Sequence, residues 1–268
     1  MKKERLDKLL FEKGFTKSRN EAQVLILSGE VKVNGIRITK PSTEIPWDSK
    51  VETEKTERFV SRGAYKLIKA IQSFNISLEG KICADIGSST GGFTEILLRR
   101  GAKRVYAVDV GKGQLDIKLR NDERVILLER INARYLSEKE IPEKIDLATI
   151  DVSFITVEKI IVPIKEIGKE NLEVVILLKP QFEVGKEFVG KGGIVKNKEY
   201  IIDMIERKFD FFYKLALTPK GLTFSPIKGA RGNIEYLIYL VREEKSGLDK
   251  SAIKEVVNES WNILQEKN

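Results

Sequence analysis

No histidine occurs anywhere in the 268 residues. A histidine general base, a Ser-His-Asp arrangement and a histidine-ligated metal are therefore excluded. Cysteine occurs once, at Cys83, so no disulfide framework is possible within the chain. No uninterrupted apolar run approaches the roughly 18 residues that a membrane span needs. The opening MKKERLDKLL carries lysines without a long apolar stretch behind them, which is not the pattern of a secretory signal. A cytoplasmic protein is expected.

The composition, 41 % hydrophobic and 33 % charged, is that of a globular chain with room for one large domain and a small one. The net charge of +8 is uneven. Residues 1–43 hold ten Lys and Arg against five Asp and Glu, while the other 225 residues carry only +3. A basic module joined to a nearly balanced one suits a polyanionic partner, although charge alone equally fits a lysine-rich solubility surface.

In the basic module, RLDKLLFEKGF places Leu6, Leu9 and Leu10 on one helical face, and Gly14 ends the run. SRNEAQVLILSGEV predicts a second helix, with Ser18 as cap, Glu21 completing a capping box and Gly29 as stop. KVNGIRI predicts a hairpin turning at Asn34-Gly35. Lys17, Arg19, Lys32, Arg37 and Lys40 crowd the helix start and the hairpin, where they are placed to grip phosphates. RLDKLL, SRNEA and SGEVKVNG resemble the small RNA-binding domain of ribosomal protein S-four. That resemblance implies recognition of structured RNA by shape and backbone. Residues 44–60 read as a strand remnant and linker, with ERFV as the hinge before Ser61. The domains are thus expected at 1–60 and 61–268.

From residue 61, apolar β-rich runs alternate with amphipathic helices. KICADIG, RVYAVDVG, RVILLERIN, KIDLATIDVSF and LEVVILLKP read as strands, and two more near LALTPKGLTFSP and NIEYLIYLVRE close the sheet. This order predicts an α/β fold with a doubly wound, mostly parallel sheet, beside a small N-terminal α+β domain. Ligands of such sheets sit beyond the carboxyl ends of the strands, where Asp85, Asp109, Asp151 and Lys179 fall.

DIGSSTGGFT, between the first strand and its helix, lacks two phosphate signatures. Ser89 stands where a dinucleotide fingerprint has its second glycine, and Phe93 stands where a P-loop has its lysine. What remains is an acid at the strand end, a turn relieved by Gly87, Gly91 and Gly92, and Asp109 at the next strand end, placed for two ribose hydroxyls. That combination suits adenosine carrying a cation, as in S-adenosylmethionine. The expected holders are Asp85, Gly87, Ser88, Ser89, Thr90, Gly91, Gly92, Phe93 and Asp109, with Asn132 near the adenine and Asp151 near the methyl group.

The acceptor follows from the other strand ends. DVSF replaces the D/N-P-P-Y/F segment of base-amine methyltransferases, and Cys83 lies inside a strand rather than at a nucleophile's position. A ribose hydroxyl is a poor nucleophile and needs a base, or a cation that steers its lone pair. Lys179 fits that role, Lys66 supplies a second cation, and Glu235, set among apolar strand residues, needs a partner. SRGAYKL, DIGSSTGGFT, VYAVDVGKGQL, LERINAR, DVSFI, LLKPQFE, KGGIV and KGARGNIEYL together resemble the TlyA family of ribosomal RNA 2′-O-methyltransferases, some labelled haemolysins. Their larger domain is of the FtsJ (RrmJ) type. The resemblance implies a Lys-Asp-Lys-Glu tetrad at Lys66, Asp151, Lys179 and Glu235. It also implies methyl transfer from S-adenosylmethionine to cytidine ribose in 16S rRNA, 23S rRNA or both. Arg58-Phe59-Val60 departs from that family's linker, which has a small residue and Trp before Val.

Arg62 is a further candidate contact to RNA, no metal is expected, and the chain is expected to be a monomer. The glycine-rich GKEFVGKGG, residues 185–193, reads equally as a mobile loop over the site or as a plain connector. Two rivals from other classes are a non-catalytic RNA-binding assembly factor and a membrane-active haemolysin. A pseudouridine synthase would explain the small domain but not the adenosine-type turn.

Overall fold

The computed structural model describes residues 3–53, 59–243 and 246–264. In the small domain the apolar face of Leu6–Glu12 (α1) packs on that of Arg19–Leu27 (α2), with Leu6, Leu9, Leu10, Leu25 and Ile26 buried. The Ser18 hydroxyl accepts from the Glu21 N–H at 3.1 Å, as the cap predicts. The Glu21 carboxylate reaches back one residue further than a standard capping box, to the Lys17 N–H at 2.7 Å. Asn34 and Gly35 both have positive φ, 52° and 80°, which is the type I′ turn of a tight hairpin.

That hairpin pairs Val31–Val33 (β2) with Ile36–Arg37 (β3). Lys3–Arg5 (β1) pairs with Glu44–Pro46 (β4), and Val51–Thr53 (β5) adds to β2. Residues 44–53 are therefore two short strands rather than linker. Their side chains alternate too briefly to mark them in sequence. Arg58, and with it part of the expected hinge, lies outside the described residues.

The large domain is built on seven strands: Ile82–Ile86 (β6), Arg104–Asp109 (β7), Val125–Glu129 (β8), Ile145–Ile150 (β9), Gly168–Leu178 (β10), Leu217–Phe224 (β11) and Tyr236–Arg242 (β12). Their spatial order is β11-β12-β10-β9-β6-β7-β8. All neighbours from β10 to β8 are parallel, and β12 alone runs against both of its neighbours. The expected α/β architecture is the one observed.

Apolar residues on both faces explain the double winding. On one face, Ala84, Ala148 and Ile176 pack under Glu158–Ile167 (α6), Lys198–Lys214 (α8) and Ser251–Leu264 (α9). On the other, Cys83, Leu147 and Val175 pack under Gly63–Phe74 (α3) and Gly92–Arg99 (α4). Cys83 is a buried core residue, and burial pushes its thiol up to about 12. Two short helices, Ile117–Arg120 (α5) and Pro180–Glu183 (α7), flank the carboxyl ends of the strands.

After β6 the chain winds towards β8, and after that it returns to place β9 on the other side of β6. The crevice between β6 and β9 is thus the topological switch point, where doubly wound sheets hold ligands. The two domains touch through α3: Tyr65 packs on the small apolar core, and Gln72 donates to Glu30 at 2.8 Å.

Candidate active site

The turn after β6 is shaped by close backbone approach. Gly87 has φ +84°, and a Cβ there would lie 2.5 Å from the carbonyl oxygen of Asp151. Only glycine lets the β6 turn and the β9 end meet this closely. Ser89, also left-handed at φ 49°, aims its N–H at Asp109 Oδ2 (2.8 Å), and Gly111 N–H reaches Oδ1 (2.7 Å). Asp109 is fixed at the end of β7 by two backbone donors, yet each oxygen retains a lone pair for a ligand hydroxyl. The Ser88 hydroxyl is buried without a hydrogen-bond partner among the described residues.

Beyond these strand ends opens a cleft of about 770 Å³, within the range of small-molecule sites. Gly87, Asp109, Gln114, Asn132, Asp151 and Phe154 are among its walls. A smaller cavity of about 270 Å³ lies alongside, lined by Arg62, Lys66, Ser88, Thr90, Phe93 and Asp151 among others. Gly87, Ser89 and Asp151 border both spaces. Asp151, one residue past β9, therefore stands at their junction.

Two ion pairs meet there. Lys179, one residue past β10, lies 2.6 Å from Asp151 Oδ1 and donates to Ser153 Oγ at 2.9 Å. Lys66 on α3 lies 2.7 Å from Glu235 Oε2, with the two side chains 12 % and 4 % exposed. The β10–β12 ladder ends on Leu178 opposite Tyr236, so the next residues, Lys179 and Glu235, are cross-strand neighbours. Positions 113 residues apart along the chain, Lys66 and Lys179, thereby reach one small region.

The FtsJ-like methyltransferase family matches residues 59–242, and the S4 domain family matches residues 4–46. The chain belongs to the FtsJ-like methyltransferase family. Over 95 % of its length it is 38 % identical to 96 % of the 16S/23S rRNA (cytidine-2′-O)-methyltransferase TlyA of Mycobacterium tuberculosis. It is 43 % identical to Hemolysin A of Brachyspira hyodysenteriae, across 88 % of this chain and 99 % of that one. A solved chain from Streptococcus thermophilus, described as a candidate hemolysin, superposes with a TM-score of 0.76 at 40 % identity, covering 99 % and 98 % of the two chains.

Within this methyltransferase, most expected site residues converge. Gly87, Ser89, Asp109, Asn132 and Asp151 border the cleft, and Ser88, Thr90, Gly92 and Phe93 border the smaller cavity. Asp85 and Gly91 border neither. Asp85 is fully buried, and both its oxygens are taken by hydroxyls, Thr94 Oγ1 at 2.6 Å and Thr149 Oγ1 at 2.9 Å. Burial pushes its carboxyl up to about 6, which the two hydroxyls oppose and nearby Asp151 reinforces. Asp85 ties β6 to β9 and α4. Gly91 faces the Leu115 and Leu119 side chains.

In the RNA-binding set, Lys17, Arg37, Lys40 and Arg62 are exposed and Lys32 is half-buried. Arg19 is exposed as well, and one end of its guanidinium is held by Asp7 at 3.1 Å, beside Arg5 and Gln23 on the same carboxylate. The 185–193 loop is pinned at its far end: Asn233 donates to the Gly193 carbonyl at 2.7 Å and accepts from Val195 N–H at 3.0 Å.

Ser153, Phe154, Phe182 and Gln114 escaped the sequence reading. Phe154 is 85 % exposed, has φ +65° and packs on Phe182 with ring centroids 4.8 Å apart. A left-handed Phe costs about 1–2 kcal/mol. Its signal is an aromatic just past a strand end, in DVSF.

Proposed function

We propose that this methyltransferase moves the methyl group of S-adenosylmethionine to the ribose 2′-hydroxyl of cytidine in 16S rRNA, 23S rRNA or both. The observation that carries this reading is the Lys179–Asp151 pair at the junction of the two spaces, with the Lys66–Glu235 pair as its cross-strand neighbour. The residues fit the donor. The close-approach turn at Gly87 admits it, the orphan Ser88 hydroxyl awaits a partner, Asp109 has lone pairs free for ribose hydroxyls, and Asn132 borders the same cleft. When bound, the donor supplies an electrophilic methyl on a sulfonium.

The protein's part is alignment. Lys179, ion-paired with Asp151, donates to the 2′-oxygen and turns a lone pair towards the methyl carbon. With the donor bound, methyl transfer to that oxygen would release the thioether, and the hydroxyl proton would pass to solvent past Lys179. Glu235 holds Lys66, and together they border the acceptor side. Alignment of this kind supplies several kcal/mol of the barrier reduction. Phe154, on Phe182, offers an exposed aromatic face for a nucleobase.

The small domain supplies the separate grip on RNA, through Lys17, Lys32, Arg37 and Lys40, with Arg62 at the acceptor cavity. In this reading the units divide near residue 60, and the protein works as a cytoplasmic monomer. No helix among the described residues is long and apolar enough to cross a membrane.

The test is incubation of ribosomal subunits with labelled donor, followed by mapping of ribose methylation. Lys179→Ala is expected to lower single-turnover transfer by about 100-fold or more. Unlabelled ribosomes with the parent protein would refute the reaction, and an unchanged rate in Lys179→Ala would refute the role.

A further inference from the structure

We propose that the methyltransferase domain carries its own RNA-backbone site, a cationic rim made of the β10–α8 and β11–β12 loops. The proposal rests on the reaction proposed above and adds where the phosphates beside the target nucleotide are held. Two loops form it. Residues 185–196 carry Lys186, Lys191 and Lys196, and residues 225–235 carry Lys228 and Arg231. Outside the Lys66–Glu235 pair, these segments contain a single acid, Glu187.

The two loops are joined. Both hydrogen bonds of the Asn233 side chain go to the 193–195 backbone, and Asn233 itself is buried. Arg231 lies against Gly193 so closely that a Cβ there would stand 2.8 Å from its guanidinium. Gly193 also has φ +80°, so glycine serves twice. Lys191 and Arg231 are thereby brought to one edge.

That edge adjoins the reaction site. A Cβ on Gly229 would lie 2.4 Å from Glu235 Oε1, so the turn carrying Lys228 and Arg231 backs directly onto the tetrad. The other loop starts six residues after Lys179. None of the five cations has a carboxylate partner among the described residues, and four of them are exposed. Exposed lysines without a carboxylate partner among the described residues, such as Lys214 and Lys254, occur on the helices too; what distinguishes the rim is that its cations sit on two loops tethered to each other beside the tetrad. Unpaired cations concentrated on two tethered loops beside a site for ribose chemistry match the repeating charge of an RNA backbone.

The experiment uses the full chain. Binding to purified ribosomal subunits is measured across a salt series, alongside methyl transfer, for the parent and for the double variant Lys191→Gln, Arg231→Gln. Donor binding serves as the folding control, and Lys214→Gln with Lys254→Gln serves as the remote-charge control. The rim predicts an affinity about tenfold lower at moderate salt, with a salt slope shallower by about 1–2, and no such change in the control variant. Equal affinity and slope in the double variant and the parent would overturn the rim, whatever the rate of transfer. Weaker binding by the variant with no transfer by the parent would uphold the rim and refute the reaction. Loss of binding to anionic phospholipid vesicles, with RNA binding intact, would assign these cations to a membrane surface and overturn the proposal.

Discussion

Lys208, reaching from α8, lies 2.5 Å from Glu183 at the end of α7, and both side chains are only 5 % exposed. The same ammonium also pairs with Glu158 at the start of α6. Glu183 in turn accepts from the Val157 N–H at 3.0 Å. One buried lysine thus ties the segment after β9 to the segment after β10, and those two segments carry Phe154 and Phe182 of the cleft wall.

Lys208→Met is therefore expected to destabilise the fold by about 3 kcal/mol, because the buried Glu183 carboxylate is left without its cation and beside the half-buried Glu158. The pH dependence has a defined sign. Burial already raises the Glu183 carboxyl, with Glu158 reinforcing and Lys208 opposing. A raised acid binds more protons folded than unfolded, so it costs stability as pH rises from the ordinary carboxylate range upward. The variant should recover part of its loss when pH falls from neutral towards 5, measured by thermal melts. A midpoint indifferent to pH would contradict the clamp.

The Lys66–Glu235 pair is buried more deeply on the carboxylate side. Lys66→Met leaves Glu235 unpaired and should cost about 3–5 kcal/mol, whereas the double variant Lys66→Met, Glu235→Leu should recover much of that loss. Methyl transfer should stay low in both. A stable, inactive double variant separates reaction role from folding role. Full activity in that variant would show that the pair only holds the fold.

Asp85 offers a contrast within the same crevice. Its carboxyl is pushed up to about 6 by burial, so the folded state takes up a proton between about pH 4 and 6 that the unfolded state has released. The group costs stability above that window and loses the cost below it. Asp85→Asn, still able to bond Thr94 and Thr149, is expected to bind donor normally and to flatten the stability profile across that range. Loss of donor binding with the fold intact would place Asp85 in contact with the ligand after all.

In the small domain the sign reverses. Burial acts to raise Asp7, but hydrogen bonds from Arg5, Gln23 and Arg19 overcome it and pull its carboxyl down to about 2. A depressed acid contributes stability that is present above its unfolded value near 4 and fades as pH falls towards 2. Asp7→Ala should cost about 2 kcal/mol and weaken RNA binding through loosening of the small fold, with donor binding retained. Unchanged hydrogen-exchange protection in residues 6–27 would show that the hub is dispensable.

Much of this protein was determined by local sequence. Periodicity in KICADIG, RVYAVDVG and LEVVILLKP specified buried strands because parallel strands covered on both faces must be apolar along their whole length. Asn34-Gly35 specified its turn because few residues accept two successive positive φ angles. Asp109, Asp151 and Lys179 were legible because they are polar residues that end such apolar runs. The tertiary structure alone decided the rest. Asp85 looks like Asp109 in sequence, yet two threonine hydroxyls from other elements take both its oxygens and turn it inward. Arg19 stands on the surface, yet one end of its guanidinium pairs with the buried Asp7 twelve positions earlier. The partnerships of Lys66 with Glu235, of Lys208 with Glu183 and of Asn233 with the 193–195 backbone join residues dozens to more than a hundred positions apart. Local pattern reports which face of an element is buried, but only the packed chain decides which charge finds which partner.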